Sequence, residues 1–125
     1  MELEFIATSK APAAVGAYSQ AIKASNLIFT SGQLPMDGSG EIIKGDIGDM
    51  TIQCLKNVKA ILNEAGADVS DIIKVTVFVT DVGNFSTINE AYAKFFGDHK
   101  PARSLVEVSK LPKDAEIEIE AIAGV

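Results

Sequence analysis

The chain has 125 residues, 47% of them hydrophobic, and a formal net charge of −6. That length suits one domain with a real core, spanning residues 1–125, and no linker, repeat or low-complexity tract divides it. The acidic balance, without a cluster of Lys and Arg, argues against nonspecific nucleic-acid binding, which rests on neutralising phosphates.

Met1 to Ile6 lacks the basic and apolar stretches of a signal peptide, and no apolar run approaches the about 20 residues of a membrane span. The expectation is a cytoplasmic protein. An extended start at residues 3–7 leads to a turn region at 11–18 and a strand at 26–32, and Gly38-Ser39-Gly40 marks a loop. Apolar positions at helical spacing predict a helix over 46–65, with Asp46 or Asp49 as its cap and Gly66 at its end. Residues 71–80 form the clearest strand, with Ile73, Val75, Val77 and Val79 on one face and Lys74, Thr76, Phe78 and Thr80 on the other. Asn84 is placed to cap a second helix whose apolar side holds Phe85, Ile88, Tyr92, Phe95 and Phe96, with Gly97 at its end.

Two strands close the chain. Period-two alternation puts Arg103, Leu105 and Glu107 on one face of the first, and Glu116, Glu118 and Glu120 opposite Ile117, Ile119 and Ala121 on the second. A hairpin through Leu111-Pro112 would gather Arg103 and the glutamates on one face, setting a carboxylate-binding fork beside candidate bases. A strand with one solvated face produces the same alternation, so the pattern alone leaves both readings open. Cys54 falls on the helical apolar stripe as a structural thiol, and His99 lies in an exposed loop without neighbours at metal-ligand spacing, so no metal site is expected. The element order predicts an α+β fold, one mostly antiparallel sheet with both helices on one face. The other face, expected to carry Phe78, Leu105 and Ile122 with Arg103 and the glutamates, is too mixed for plain solvated surface. It predicts a homo-oligomer with pockets at its interfaces.

Six segments in order, Gly16-Ala17-Tyr18-Ser19-Gln20, Thr30-Ser31-Gly32-Gln33-Leu34-Pro35, Asn57-Val58-Lys59-Ala60-Ile61-Leu62, Val75-Thr76-Val77-Phe78-Val79, Pro101-Ala102-Arg103-Ser104 and residues 111–120, span nearly the whole chain. Together they resemble the RidA/YjgF family. The resemblance implies a chorismate-mutase-like single domain assembled as a homotrimer with three clefts between chains. It also implies hydrolysis of reactive 2-imino acids or their enamine tautomers, such as 2-iminobutanoate and 2-iminopropanoate, to 2-oxo acids and ammonia without a cofactor. Carried over by position, the substrate-binding arginine falls on Arg103 and the water-positioning glutamate on Glu118, while Tyr18, Ser31, Gly32 and Asn89 match pocket positions. Leu105 stands in the pocket where many members carry cysteine, which changes cavity size and polarity and removes thiol modification. Ala17 stands where proline is frequent, and the loop before Pro101 is shorter than in many members. Two alternatives stand beside the deaminase: a noncatalytic small-carboxylate-binding or chaperone-like module, and RNA cleavage or translation inhibition, which the acidic charge disfavours.

Overall fold

The structure, a computed structural model, describes all 125 residues. The chain runs β1 (Leu3–Ile6), β2 (Ala21–Ala24), β3 (Leu27–Thr30), α1 (Ile47–Glu64), β4 (Ile72–Val79), α2 (Phe85–Phe96), β5 (Ala102–Glu107) and β6 (Ile117–Gly124). These strands form one sheet in the order β1-β2-β3-β6-β4-β5, antiparallel throughout except where β5 lies parallel to β4. Both helices pack on one face, as the element order predicts.

Local chemistry sets the ends of α1. The Asp46 carboxylate accepts from the Asp49 amide at 2.9 Å and the Asp49 carboxylate from the Asp46 amide at 3.1 Å, a reciprocal box that satisfies two amides the helix leaves free. Gly66 takes a positive φ of 90°, and the Gly66 and Ala67 amides then donate back to Asn63 and Leu62, closing the far end. Between the caps Cys54, Leu55, Val58, Ile61 and Leu62 are buried against the sheet with Val75, Val77, Ile117 and Ile119, in one core that also takes Ile88, Tyr92 and Phe96 of α2. Truncating Leu55 or Leu62 to alanine here costs about 2–5 kcal/mol. Cys54 is structural as expected: its Sγ lies 3.9 Å from the Ile117 carbonyl, and burial pushes the thiol well above its ordinary range.

Several expectations fail for identifiable reasons. The strand expected at 26–32 is β3 alone, and it pairs with an unforeseen strand, β2, through a tight turn in which Ser25 adopts a φ of 56°. An irregularity between Ile72 and Lys74 turns Ile73 outward and puts Ile72 into the core instead. Asn84 precedes α2 but makes no side-chain capping bond. His99 is not free in its loop, because its Nε2 donates to the Ile72 carbonyl at 2.8 Å. The largest departure concerns the last two strands. They do not form a hairpin: α2 carries the chain back to the starting end of the sheet, so β5 must run parallel to β4, and β6 then occupies the other edge of β4.

Candidate functional site

Strand register decides which side of the sheet each candidate occupies. Arg103 pairs with Val75 and Leu105 with Val77, and both valines are buried beneath the helices, so Arg103 and Leu105 lie on the helix-bearing face. Glu118 pairs with Phe78 and Glu120 with Thr76, on the opposite, open face. Arg103 and Glu118 therefore do not meet within one chain, contrary to the arrangement expected from a hairpin, and Arg103 and Leu105 do not share the open face with Phe78 and Ile122.

The open-face half is built around Glu118. Gln33 and Ile119 exchange backbone bonds of 2.8 and 3.0 Å, which carries residues 31–33 alongside β6. Gly32 thereby passes directly under the Glu118 side chain; a Cβ placed there would stand 2.6 Å from Cδ of Glu118 and closer still to one carboxylate oxygen. The absence of a side chain at this position is what makes room for the carboxylate. Glu118 is half-buried, and that burial, followed by the neighbouring Glu120 charge, raises its pKa above the ordinary value. Ser31 donates from its amide to Gln20 and from its hydroxyl to the Ser19 carbonyl at 2.6 Å, so the turn carrying Tyr18 is tied to the Gly32 segment. Buried Gln20 holds the other end of that turn: its amide accepts from the Thr8 amide and donates to the Thr8, Ala11 and Pro12 carbonyls. Tyr18 itself is 53% exposed. Phe5 and Phe29, with Ile122, extend this face as apolar surface, with Phe5 70% exposed.

The second half lies at the β5 edge. The Arg103 Nη1 donates to the Asn89 Oδ1 at 3.0 Å, and the guanidinium carbon sits 4.7 Å from the centre of the Tyr92 ring and 5.7 Å from that of Phe85. Asn89 thus joins Arg103 through this bond. The Tyr92 and Phe85 contacts were not foreseen, although their spacing with Asn89, i, i+4 and i+7 on α2, is the signal that puts all three on one helix face. Arg103 has no acidic partner: the one ion pair in the chain joins Lys94 to Glu90. Four of its five N–H donors are left without a protein acceptor, which suits a ligand carboxylate bound through two parallel bonds. No three His, Cys, Asp or Glu side chains lie together as metal ligands, and no helix is long and apolar enough to cross a membrane.

Comparison with known proteins bears on what these halves are for. A family model described as Endoribonuclease L-PSP matches residues 8–125, and a 2-iminobutanoate/2-iminopropanoate deaminase of Escherichia coli K12 is 50% identical over 121 residues, 94% of each chain. The chain belongs to the RidA/YjgF family. Among other family relatives, a RutC family protein of Pyrococcus horikoshii is 58% identical over 121 residues, covering 96% of both chains. The crystal structure of E. coli TdcF with bound serine superposes with a TM-score of 0.93 at 47% identity, covering 98% of both chains. The E. coli YjgF structure gives a TM-score of 0.92 at 49% identity, covering 97% of this chain and 98% of its own. Family membership therefore rests on the whole domain rather than on isolated motifs.

Proposed function

We propose that the protein hydrolyses 2-imino acids, among them 2-iminobutanoate and 2-iminopropanoate, to 2-oxo acids and ammonia, in a pocket completed by a second copy of the chain within a homotrimer. The observation that carries this reading is the unpaired Arg103 fork held by Asn89, with an unpaired carboxylate, Glu118, seated over Gly32 on the other side of the sheet. Support also comes from relatives at about half identity that are named for this reaction.

In this reading Arg103 clamps the substrate carboxylate through two parallel hydrogen bonds and holds the C=N carbon near Glu118 of the neighbouring copy. Glu118 accepts a proton from a water as its oxygen bonds to C2, and the C=N π electrons move to nitrogen. Glu118 then returns that proton to the nitrogen of the aminoalcohol, the C–N bond breaks with its electron pair leaving on ammonia, and the hydroxyl proton passes to solvent as the C2 carbonyl forms. One imine and one water give one 2-oxo acid and one ammonia. A protonated imine is already a good electrophile, so base assistance of about 10²- to 10⁴-fold is sufficient help from one carboxylate. Tyr18, Ser31 and Gly32 line the Glu118 side of the pocket, while Asn89 and Leu105 line the Arg103 side.

Serine bound to TdcF favours a second reading, a site that holds small carboxylates without turning them over. RNA cleavage, suggested by the family model's description, fits poorly with a net charge of −6. The deciding experiment generates 2-iminobutanoate and 2-iminopropanoate enzymatically and traps the remaining imine with semicarbazide. Suppressed trapping by wild type, lost in both Arg103→Ala and Glu118→Ala, is expected. Trapping unchanged by wild type would overturn the deaminase reading and leave the binding one.

A further inference from the structure

The seat of Arg103 is unusual in being aromatic rather than acidic. Phe85, Asn89 and Tyr92 present one face of α2 to the guanidinium, and of these only Asn89 makes a hydrogen bond to it. A single bond at 3.0 Å fixes one corner of a planar group but leaves the plane free to turn about that corner. A second contact is needed to set the plane, and the Tyr92 ring, 4.7 Å from the guanidinium carbon, supplies it. The plane matters because two parallel hydrogen bonds to a carboxylate form only when fork and carboxylate are close to coplanar.

Tyr92 is well placed to act as a rigid platform. It is 8% exposed, its ring packs 4.6 Å from that of Phe96, and Phe96 in turn meets Phe95 edge-on at 5.6 Å, so the seat is continuous with the core. Its hydroxyl is buried and has no hydrogen-bond partner. Burial raises the phenol above its ordinary range, with the Arg103 cation opposing, so at neutral pH the ring faces Arg103 as a neutral phenol. The π face, and not the hydroxyl, is therefore what Arg103 uses. Phe85 is the outer wall: it is 44% exposed and lies further from the guanidinium, at 5.7 Å.

We infer that Tyr92, assisted by Phe85, is a positioning residue that fixes the plane of the Arg103 guanidinium and so sets carboxylate affinity, an inference that rests on the function proposed above. Leucine at 92 preserves an apolar side chain of moderate size but offers no π face, whereas phenylalanine keeps the face and removes only an unpartnered hydroxyl. Side-chain 15Nε relaxation of Arg103, measured on the intact ligand-free protein, reads the seat without reference to any reaction. Titration with 2-oxobutanoate reads its consequence. Wild type and Tyr92→Phe should hold Arg103 rigid and bind alike. Tyr92→Leu should mobilise Arg103, weaken 2-oxobutanoate roughly 2- to 30-fold and raise KM more than it lowers kcat. Phe85→Leu, at an exposed position that cannot endanger the core, should move the same readouts the same way by less. An Arg103 equally rigid in both leucine variants would overturn the inference, as would Tyr92→Phe behaving like Tyr92→Leu, which would transfer the role to the hydroxyl. Failure of wild type to bind 2-oxobutanoate would sink the carboxylate reading instead, while the relaxation data would still decide the seat.

Discussion

Two inactive variants, refolded together, should regain activity. In the proposed shared pocket Arg103→Ala would retain the Glu118 half and Glu118→Ala the Arg103 half, since the register of β4 with its two neighbours puts Arg103 and Glu118 on opposite faces of one sheet. Neither variant alone contains a complete pocket. In a random equimolar mixture, a pocket drawing its arginine from one copy and its glutamate from the next is intact with a chance of about one quarter, in any closed ring of identical subunits. Loss of the base alone leaves about 10⁻² to 10⁻⁴ of the rate, so a recovered quarter stands roughly 25-fold or more above the better single variant. The assay is ammonia release from enzymatically generated 2-iminobutanoate, with native mass spectrometry confirming that mixed oligomers have formed. Activity in confirmed mixed oligomers that stays at the average of the two variants would refute the shared pocket.

Gly32→Ala should leave the backbone undisturbed, since Gly32 is not in a positive-φ conformation, but its Cβ must displace the Glu118 carboxylate. A misplacement on the order of 1 Å costs about 10²-fold in turnover, while the chain relaxes around one flexible side chain for about 0.5–1.5 kcal/mol of stability; steady-state kinetics beside urea unfolding separates the two, and full activity in the variant would remove Glu118 from the chemistry. Gln20→Ala strips the four bonds that this buried side chain makes to Thr8, Ala11 and Pro12. It should lower unfolding free energy by about 1–3 kcal/mol and open residues 8–15 to limited proteolysis; an unchanged cleavage pattern would show that the turn is held by something else. Arg103→Lys keeps the charge but gives up the fork and its stacking on Tyr92, so KM for the imine should rise toward that of Arg103→Ala; a lysine variant with wild-type KM would mean that charge alone suffices.

How much of this was legible beforehand divides along a physical line. Capping and periodicity are local, and α1 with a cap at Asp46 or Asp49 and its Gly66 stop could be read directly, as could the two faces of β6, although the reciprocal bonding of the two aspartates could not. Partner choice is not local. Alternation shows that Arg103 and Leu105 share a face but carries no information about which strand lies beside them, and the insertion of β4 between β5 and β6 is what sends Arg103 to the helix side and Glu118 to the other. Ile73 was misplaced because a single register irregularity shifts every assignment on one side of it. Arg103, Glu118, Gly32 and Asn89 could be nominated from residue type and family resemblance. Tyr92 looked like an ordinary member of the α2 core stripe, and nothing in the spacing distinguished a ring that fills a core from one that also carries a cation on its face.

In the proposed assembly, separation of the two charges across the sheet should also couple association to pH. In the single chain Glu118 has only burial and Glu120 acting on it, both of which favour the neutral acid and raise its pKa above 4.5. A carboxylate shifted in that direction costs folding stability as pH rises from 4.5 through its folded value, and costs nothing below. If the shared pocket is correct, bringing Arg103 of a second copy toward Glu118 reverses the balance and draws that pKa down. The assembled state then binds protons less tightly than the free chain, so association must strengthen as pH rises through the window between the two values and weaken as it falls. Sedimentation across about pH 4 to 7.5 measures this directly. Glu118→Gln, neutral at every pH, should flatten the dependence, and Glu120→Gln should narrow it by removing one of the two causes of the raised value. Association that strengthens on acidification in wild type would mean that Glu118 meets no cation in the assembly, and the pocket would have to be rebuilt without Arg103 opposite it.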